Sequence, residues 1–156
     1  MPDAPLCDAL LEKILEQIER TAHLIAMVPE ARQNWTPSPG AWTTRVLIGH
    51  LLDCISGFCA VLAAAEPERL AHFAKLRHVP GTIEIYCSHI EEGFALLTDV
   101  DLARRVPTVF VAQGEPMLTL FLGNLEHLVN HKHQLFAYLK QMGVPVATPD
   151  LYQLRG

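Results

Sequence analysis

The sequence predicts an all-α protein, a four-helix bundle of one domain over residues 1–156 with short extended connectors. Three observations predict it. Four segments of about twenty residues carry apolar side chains at helical spacing. Pro29, Pro80-Gly81, Pro116 and Gly143 punctuate the ends of those segments. The only stretch with strand character is short, from Asp99 to Gly114, where Val106, Val109, Phe110 and Val111 surround Pro107.

The first helix is expected over Leu6 to Met27. Leu11, Ile14, Leu15, Ile18, Ala22 and Ile25 form its inward stripe, and Glu12, Lys13, Glu16, Glu19 and Arg20 its polar side. Pro29 limits it. His23 lies off the stripe and is expected at the surface or its boundary. Asn34 to Gly40 holds Trp35, Pro37 and Pro39, with Trp42 just beyond, and reads as an ordered connector with two aromatic anchors. A second helix follows, with Thr43 or Thr44 as N-cap, and runs to about Ala65. Glu66-Pro67-Glu68 opens a short helix that fades by Leu76, leaving His72 and His78 as exposed connector residues.

Pro80-Gly81-Thr82 introduces a third helix reaching about Thr98, with Ile83, Tyr86, Cys87, Ile90, Phe94 and Leu97 inward and His89 outside that stripe. Pro116 suits the first turn of the fourth helix, and Gly143 its C-terminal cap. Residues 144–152 then read as an extended tail. The long connection between the second and third helices leaves the up-and-down order of the bundle open.

Composition narrows the function. The chain of 156 residues has a net charge of −5 and no cluster of Lys and Arg, which argues against nucleic acid or an anionic membrane surface as partner. No run of eighteen or more apolar residues appears, so no membrane span is expected. The N-terminus lacks a basic region followed by an apolar one, which makes the cytoplasm the default compartment. Cys7, Cys54, Cys59 and Cys87 show no CxxC spacing and read as buried thiols. A small-molecule substrate or a second copy of the chain is the expected partner.

The chemistry gathers in Leu125–Leu135, which holds three of the eight histidines. On a helix, His127 and His131 stand one turn apart on an arc shared with Leu120, Leu128, Leu135, Tyr138 and Met142, so both imidazoles are expected to face inward. His133 falls roughly 160° from His131 and should meet solvent. An i, i+4 histidine pair can bind one divalent metal from one helix face, and a site needs a third ligand. In the second helix His50 shares a face with Val46, Leu47, Cys54, Phe58 and Val61. By its residues alone it is either a core histidine bonded to a polar group or that third ligand.

Other architectures fail on spacing. Leu128 stands where a zincin needs glutamate, no pair of Glu-x-x-His motifs supports a di-iron bundle, and there is no GxSxG elbow, phosphate loop or evident Cys-His dyad.

Trp42-Thr43-Thr44, then Ile48-Gly49-His50-Leu51-Leu52-Asp53, then His127-Leu128-Val129-Asn130-His131-Lys132-His133-Gln134-Leu135 and Tyr138 through Pro145 together resemble the DinB/YfiT-like superfamily of metalloenzymes. That family is named for a damage-inducible bacillary protein and not for the DNA polymerase. The resemblance spans nearly the whole chain and implies that His50, His127 and His131 bind a divalent metal. Asn130 and His133 stand where the family pattern has histidine and glycine, and neither departure removes a ligand. Three imidazoles leave coordination positions open for water or substrate, and suit zinc or nickel.

The family includes thiol-dependent S-transferases, an isomerase using low-molecular-weight thiols, and members described as hydrolases. The resemblance therefore implies a metal-dependent hydrolase or thiol transferase, and a homodimer. Cys54 is read as an additional ligand, a reactive thiol or packing. Asp53, Asn124, Asn130, Gln134 and Tyr138 are candidates for supporting the ligands or touching substrate, or are solvated and capping polar residues. A metal- or ligand-binding stress protein without turnover, and a helical interaction module with structural histidines, are the alternatives.

Overall fold

The computed structural model describes residues 3–64, 73 and 75–152. Four long helices form the bundle: α1 Pro5–Ala26, α2 Thr44–Ala63, α3 Val79–Phe94 and α4 Met117–Gln141. Each of α1 and α2 packs against both α3 and α4, while α1 and α2 touch little. Helices joined in sequence as α1 and α2 therefore lie across a diagonal, as the long 27–43 connector permits. The fully buried side chains include Ile14, Ile18, Leu47, Ile48, Leu51, Ile55, Phe58 and Phe121, and Phe121 meets Phe94 across the centre at 5.0 Å between rings.

Helix α1 has no cap of its own. Asp99, from a 3-10 turn at Asp99–Ala103, accepts from the Leu6 and Cys7 amides at 3.1 and 2.9 Å, so a distant carboxylate satisfies the free N-terminal donors. Its buried face runs through Leu10, Ile14, Gln17, Thr21 and Leu24, and Leu11, Leu15 and Ala22 are only partly covered. That rotation corrects the expected stripe, and its cause is polar. Thr21 returns its hydroxyl to the Gln17 carbonyl at 2.8 Å, and Gln17 accepts from Lys132 Nζ at 2.7 Å.

Lys132 is only 2% exposed and also donates to the Leu151 carbonyl at 2.9 Å. Burial lowers its pKa, and two oxygen acceptors hold the ammonium, with no carboxylate in direct contact among the described residues.

In α2, Thr43 is the N-cap, accepting from the Val46 amide at 3.2 Å, while buried Thr44 ties the helix to the Trp35 carbonyl. By length and composition α2 could cross a bilayer, yet most of that apolar stretch is buried inside the bundle. It is the core helix. The short helix expected after Glu66 falls outside the described residues; a 3-10 turn at Leu76–His78 leads into α3, which ends at Phe94, earlier than expected.

The extended connector exists as a two-stranded ribbon, β1 Arg105–Val106 antiparallel to β2 Glu115–Pro116. Gly114 has φ of +79°, and a Cβ there would meet the Val106 carbonyl at 2.8–2.9 Å, so the return of the ribbon requires glycine. Gly143, at φ +84°, closes α4: its amide bonds to Lys140 O and that of Val144 to Leu139 O, the Schellman pattern. The tail is not extended throughout. Thr148–Leu151 forms a short helix, α5, because Pro149 suits a first turn and Asp150 accepts from the Ala147 amide at 2.8 Å.

Helices α2 and α4 pack tightly at Gly57, where a Cβ would lie 2.8–3.1 Å from the Asn124 side chain. Gly123, on α4, has open space at the same test. Two glycines thus give opposite expectations. Gly57→Ala displaces Asn124 and lowers stability by about 1–3 kcal/mol through overpacking, outweighing helix propensity. Gly123→Ala raises stability by about 0.5–1 kcal/mol. Urea unfolding of both variants checks this, and equal signs would contradict the packing.

Candidate metal centre

The ligand cluster is built from two helices. The Thr43 cap starts α2 so that His50 falls in its second turn, on the side turned to α4. On α4, His127 and His131 are stacked one turn apart. The ligand atoms of the three histidines all lie within 4.8 Å of one another. His50 Nε2 and His127 Nε2 are 3.1 Å apart. A metal about 2.0–2.1 Å from each imidazole nitrogen sets neighbouring nitrogens roughly 3.3 Å apart in a tetrahedron. The observed donor separations, 3.1 Å for that pair and none above 4.8 Å, bracket that spacing, and the set could hold one divalent ion.

Neighbours fix the rings. His131 Nδ1 is 2.8 Å from Gln134 Oε1. Because Oε1 can only accept, Nδ1 carries the proton and Nε2 keeps its lone pair for the cluster. His127 Nδ1 faces Cys54 Sγ at 3.7 Å, which turns Nε2 toward the cluster. Partners of this kind are commonly worth 10–100-fold in metal affinity. Trp42, 43% exposed, stacks on His131 with ring centroids 5.7 Å apart and an interplanar angle of 26°, and tilts over His50 at 5.0 Å.

The candidate residues separate into distinct positions. Gln134 orients a ligand directly. Cys54 is buried behind His127; burial and the Asp53 charge push its thiol up to about 12, so it is a neutral thiol at physiological pH and not a ready thiolate ligand. Asp53 acts on His50 and Cys54 through its charge. Asn124 donates to the Cys54 carbonyl at 2.8 Å and so pins α4 to α2. Tyr138 is buried and donates to the Trp42 carbonyl at 3.0 Å, which holds the Trp42 backbone in place. Asn130 is exposed.

Both α4 imidazoles turn toward α2, as expected, but neither is fully buried. His127 is exposed and His131 half-buried, because the helical wheel fixes the direction of a side chain but not how far the neighbouring helices cover it. His133 and His89 are exposed as expected, and His23 pairs with Asp150 at 2.8 Å.

From His127 a cleft of about 640 Å³ runs between α2 and α4 toward the β1–β2 ribbon. Sequence reasoning did not see it. Its α4 wall includes Thr119, Gly123 and His127, a series at i, i+4 spacing whose small members were the available signal, and Glu115 of β2 stands beyond them. Trp42 was expected to anchor its loop, and the structure places it on the imidazoles.

The fold and this centre define the class: a helical bundle with a three-histidine group able to hold a divalent metal ion. The sequence model of the DinB superfamily matches residues 13–135, and the chain belongs to that superfamily. The fold is similar to that of the DinB-like protein YjoA of Bacillus subtilis, with a TM-score of 0.70 and 17% identity, covering 88% of this chain and 94% of that one. It is similar as well to a DinB-like protein of Bacillus cereus ATCC 10987, with a TM-score of 0.76 and 16% identity, covering 90% and 96%. No curated protein matches the chain.

Burial, followed by the charges of His131 and His127, lowers the His50 pKa below 6.5, with Asp53 opposing; burial and then His131 lower that of His127. A base whose pKa is depressed on folding binds fewer protons folded than unfolded as pH drops. Stability is therefore full above 6.5 and falls as pH decreases through the lowered values. Metal-free protein should lose stability between about pH 7 and pH 5, and His50→Ala should show a shallower loss. Urea midpoints across that range check it; an unchanged slope in the variant would contradict it.

Proposed function

We propose that the chain is a metal-dependent enzyme in which His50, His127 and His131 hold one zinc or nickel ion. It acts on a small molecule, by hydrolysis or by transfer to a low-molecular-weight thiol. The observation that carries this reading is the meeting of three imidazole donors within 4.8 Å at the end of an apolar cleft. A closed structural site uses four protein ligands, whereas three beside a cleft suit a site that admits an exchangeable group. The cleft also favours turnover over metal storage.

All-imidazole coordination supports zinc or nickel over ions that recruit carboxylates. An ion in that position supplies Lewis acidity toward water or a thiol near neutral pH. The chain supplies the rest. Gln134 and Cys54 hold the rings with Nε2 turned to the cluster, Trp42 covers one side of it, and the exposed His127 leaves the other side open. Water and a thiol use the same opening, so hydrolysis and thiol transfer share one geometry. The absence of a basic cluster accords with a small-molecule substrate.

Elemental analysis of untagged protein after incubation with zinc and nickel tests the reading. About one ion per chain is expected, with loss of it in both His50→Ala and His127→Ala. A chelator should lower the thermal midpoint of the wild type only. Wild-type protein that remains metal-free overturns the proposal.

A further inference from the structure

We infer that the cleft beyond His127 is a binding site for an uncharged aryl or alkyl limb of the substrate, and that Gly123 keeps it open. The assignment deepens the proposed function and rests on it for the word substrate; binding of the limb itself does not depend on a metal.

Shape comes first. About 640 Å³ lies within the range of small-molecule sites, and Val61, Val106, Pro107, Val109 and Leu120 make much of the wall apolar. Two of the lining positions are glycines with different reasons. Gly57 is required by the approach of Asn124, but Gly123 has no atom within 4 Å of where a Cβ would stand. Packing within the chain does not explain glycine there, in the middle of a helix where it costs stability relative to alanine. Space for a ligand does.

The rim points the same way. Val109 is 70% exposed and Phe110 93% exposed, although both border the cleft. Their turn is ordered by its own bonds: Thr108 Oγ1 accepts from the Phe110 and Val111 amides at 3.3 and 3.0 Å, and the Thr108 amide donates to Val111 O at 3.1 Å. A turn held this firmly presents an aromatic ring to solvent at the mouth of an apolar cleft. Such a ring gains burial when an apolar group enters.

Charge selects among apolar groups. Apart from His127, Glu115 is the only ionisable side chain among the described lining residues, and no Lys or Arg is among them. An anionic group placed there meets a carboxylate and no counter-charge. Glu115 thus excludes an anionic limb, the apolar walls disfavour a hydrated cation, and the limb in the cleft is uncharged with its reacting linkage toward His127.

The test uses full-length, zinc-incubated protein and two probes with the same aryl framework: neutral N-phenyl-1-naphthylamine and its sulfonated analogue 1-anilinonaphthalene-8-sulfonate. Saturable fluorescence enhancement is expected for the neutral probe, with the sulfonate at least about tenfold weaker. Gly123→Leu, which fills the cleft without backbone conflict, should lose neutral-probe affinity by at least about tenfold while keeping the wild-type metal content. Gly123→Ala, should the larger variant not fold, should show a smaller loss in the same direction.

His127→Ala should still bind the neutral probe. That separates the cleft from the metal reading, because a metal-free wild type that binds the probe defeats the enzyme proposal alone. Wild-type probe affinity in Gly123→Leu, or equal affinity for both probes, overturns the inference.

Discussion

The contact between α2 and α4 is the constraint on which the centre depends. His50 comes from one helix and His127 and His131 from the other, so the spacing of three donors is set by a helix–helix interface and not by a loop. At that interface Gly57 removes a side chain, Asn124 fills the place, and its amide bonds to the Cys54 carbonyl at 2.8 Å. The bond fixes the axial register of the two helices as well as their separation. A shift of one residue along α4 moves a side chain by about 100° and 1.5 Å, which would take His127 away from His50. Next to His131, α4 is anchored independently by Lys132, buried between Gln17 and the Leu151 carbonyl. Rigid helices held at two points give a centre more exact than loops of the same length would.

The same geometry carries an electrostatic cost that a cation relieves. Three imidazoles packed within 4.8 Å repel as soon as more than one is protonated, and burial adds to the preference for the neutral form of His50 and His127. The neutral form is also the metal ligand. Depressed basicity and metal competence are thus one property of the cluster. Cys54 shows the complementary case: buried beside the Asp53 charge, it stays a thiol near neutrality and serves as a neighbour to His127.

Much of this was legible in the sequence, and the limits have physical reasons. The four long helices announce themselves by apolar period, Thr43 and Gly143 by capping chemistry, and the ligand pair by its HxxxH spacing. His50 was ambiguous on residues alone, and the combination of motifs resolved it. The wheel failed where coverage mattered: it aimed His127 correctly but could not show that the cleft leaves it exposed. On α1 it placed Ile14, Ile18 and Ile25 correctly but Leu11, Leu15 and Ala22 too far inward, because it could not show Gln17 buried by its bond to Lys132 or Thr21 buried by its bond to the Gln17 carbonyl. The cleft and the stacking of Trp42 depend on the 107–114 turn and the Trp42 loop folding back onto α2 and α4. Neither connection leaves a periodic trace in sequence.

X-ray absorption at the zinc edge of the metal-loaded protein tests the central claim most directly, that two helices in fixed register deliver three imidazoles to one ion. The account predicts three imidazole nitrogens at about 2.0–2.1 Å, with the remaining scattering from light atoms and none from sulfur. A sulfur shell at about 2.3 Å would place Cys54 in the coordination sphere and contradict the assignment, as would fewer than three imidazoles.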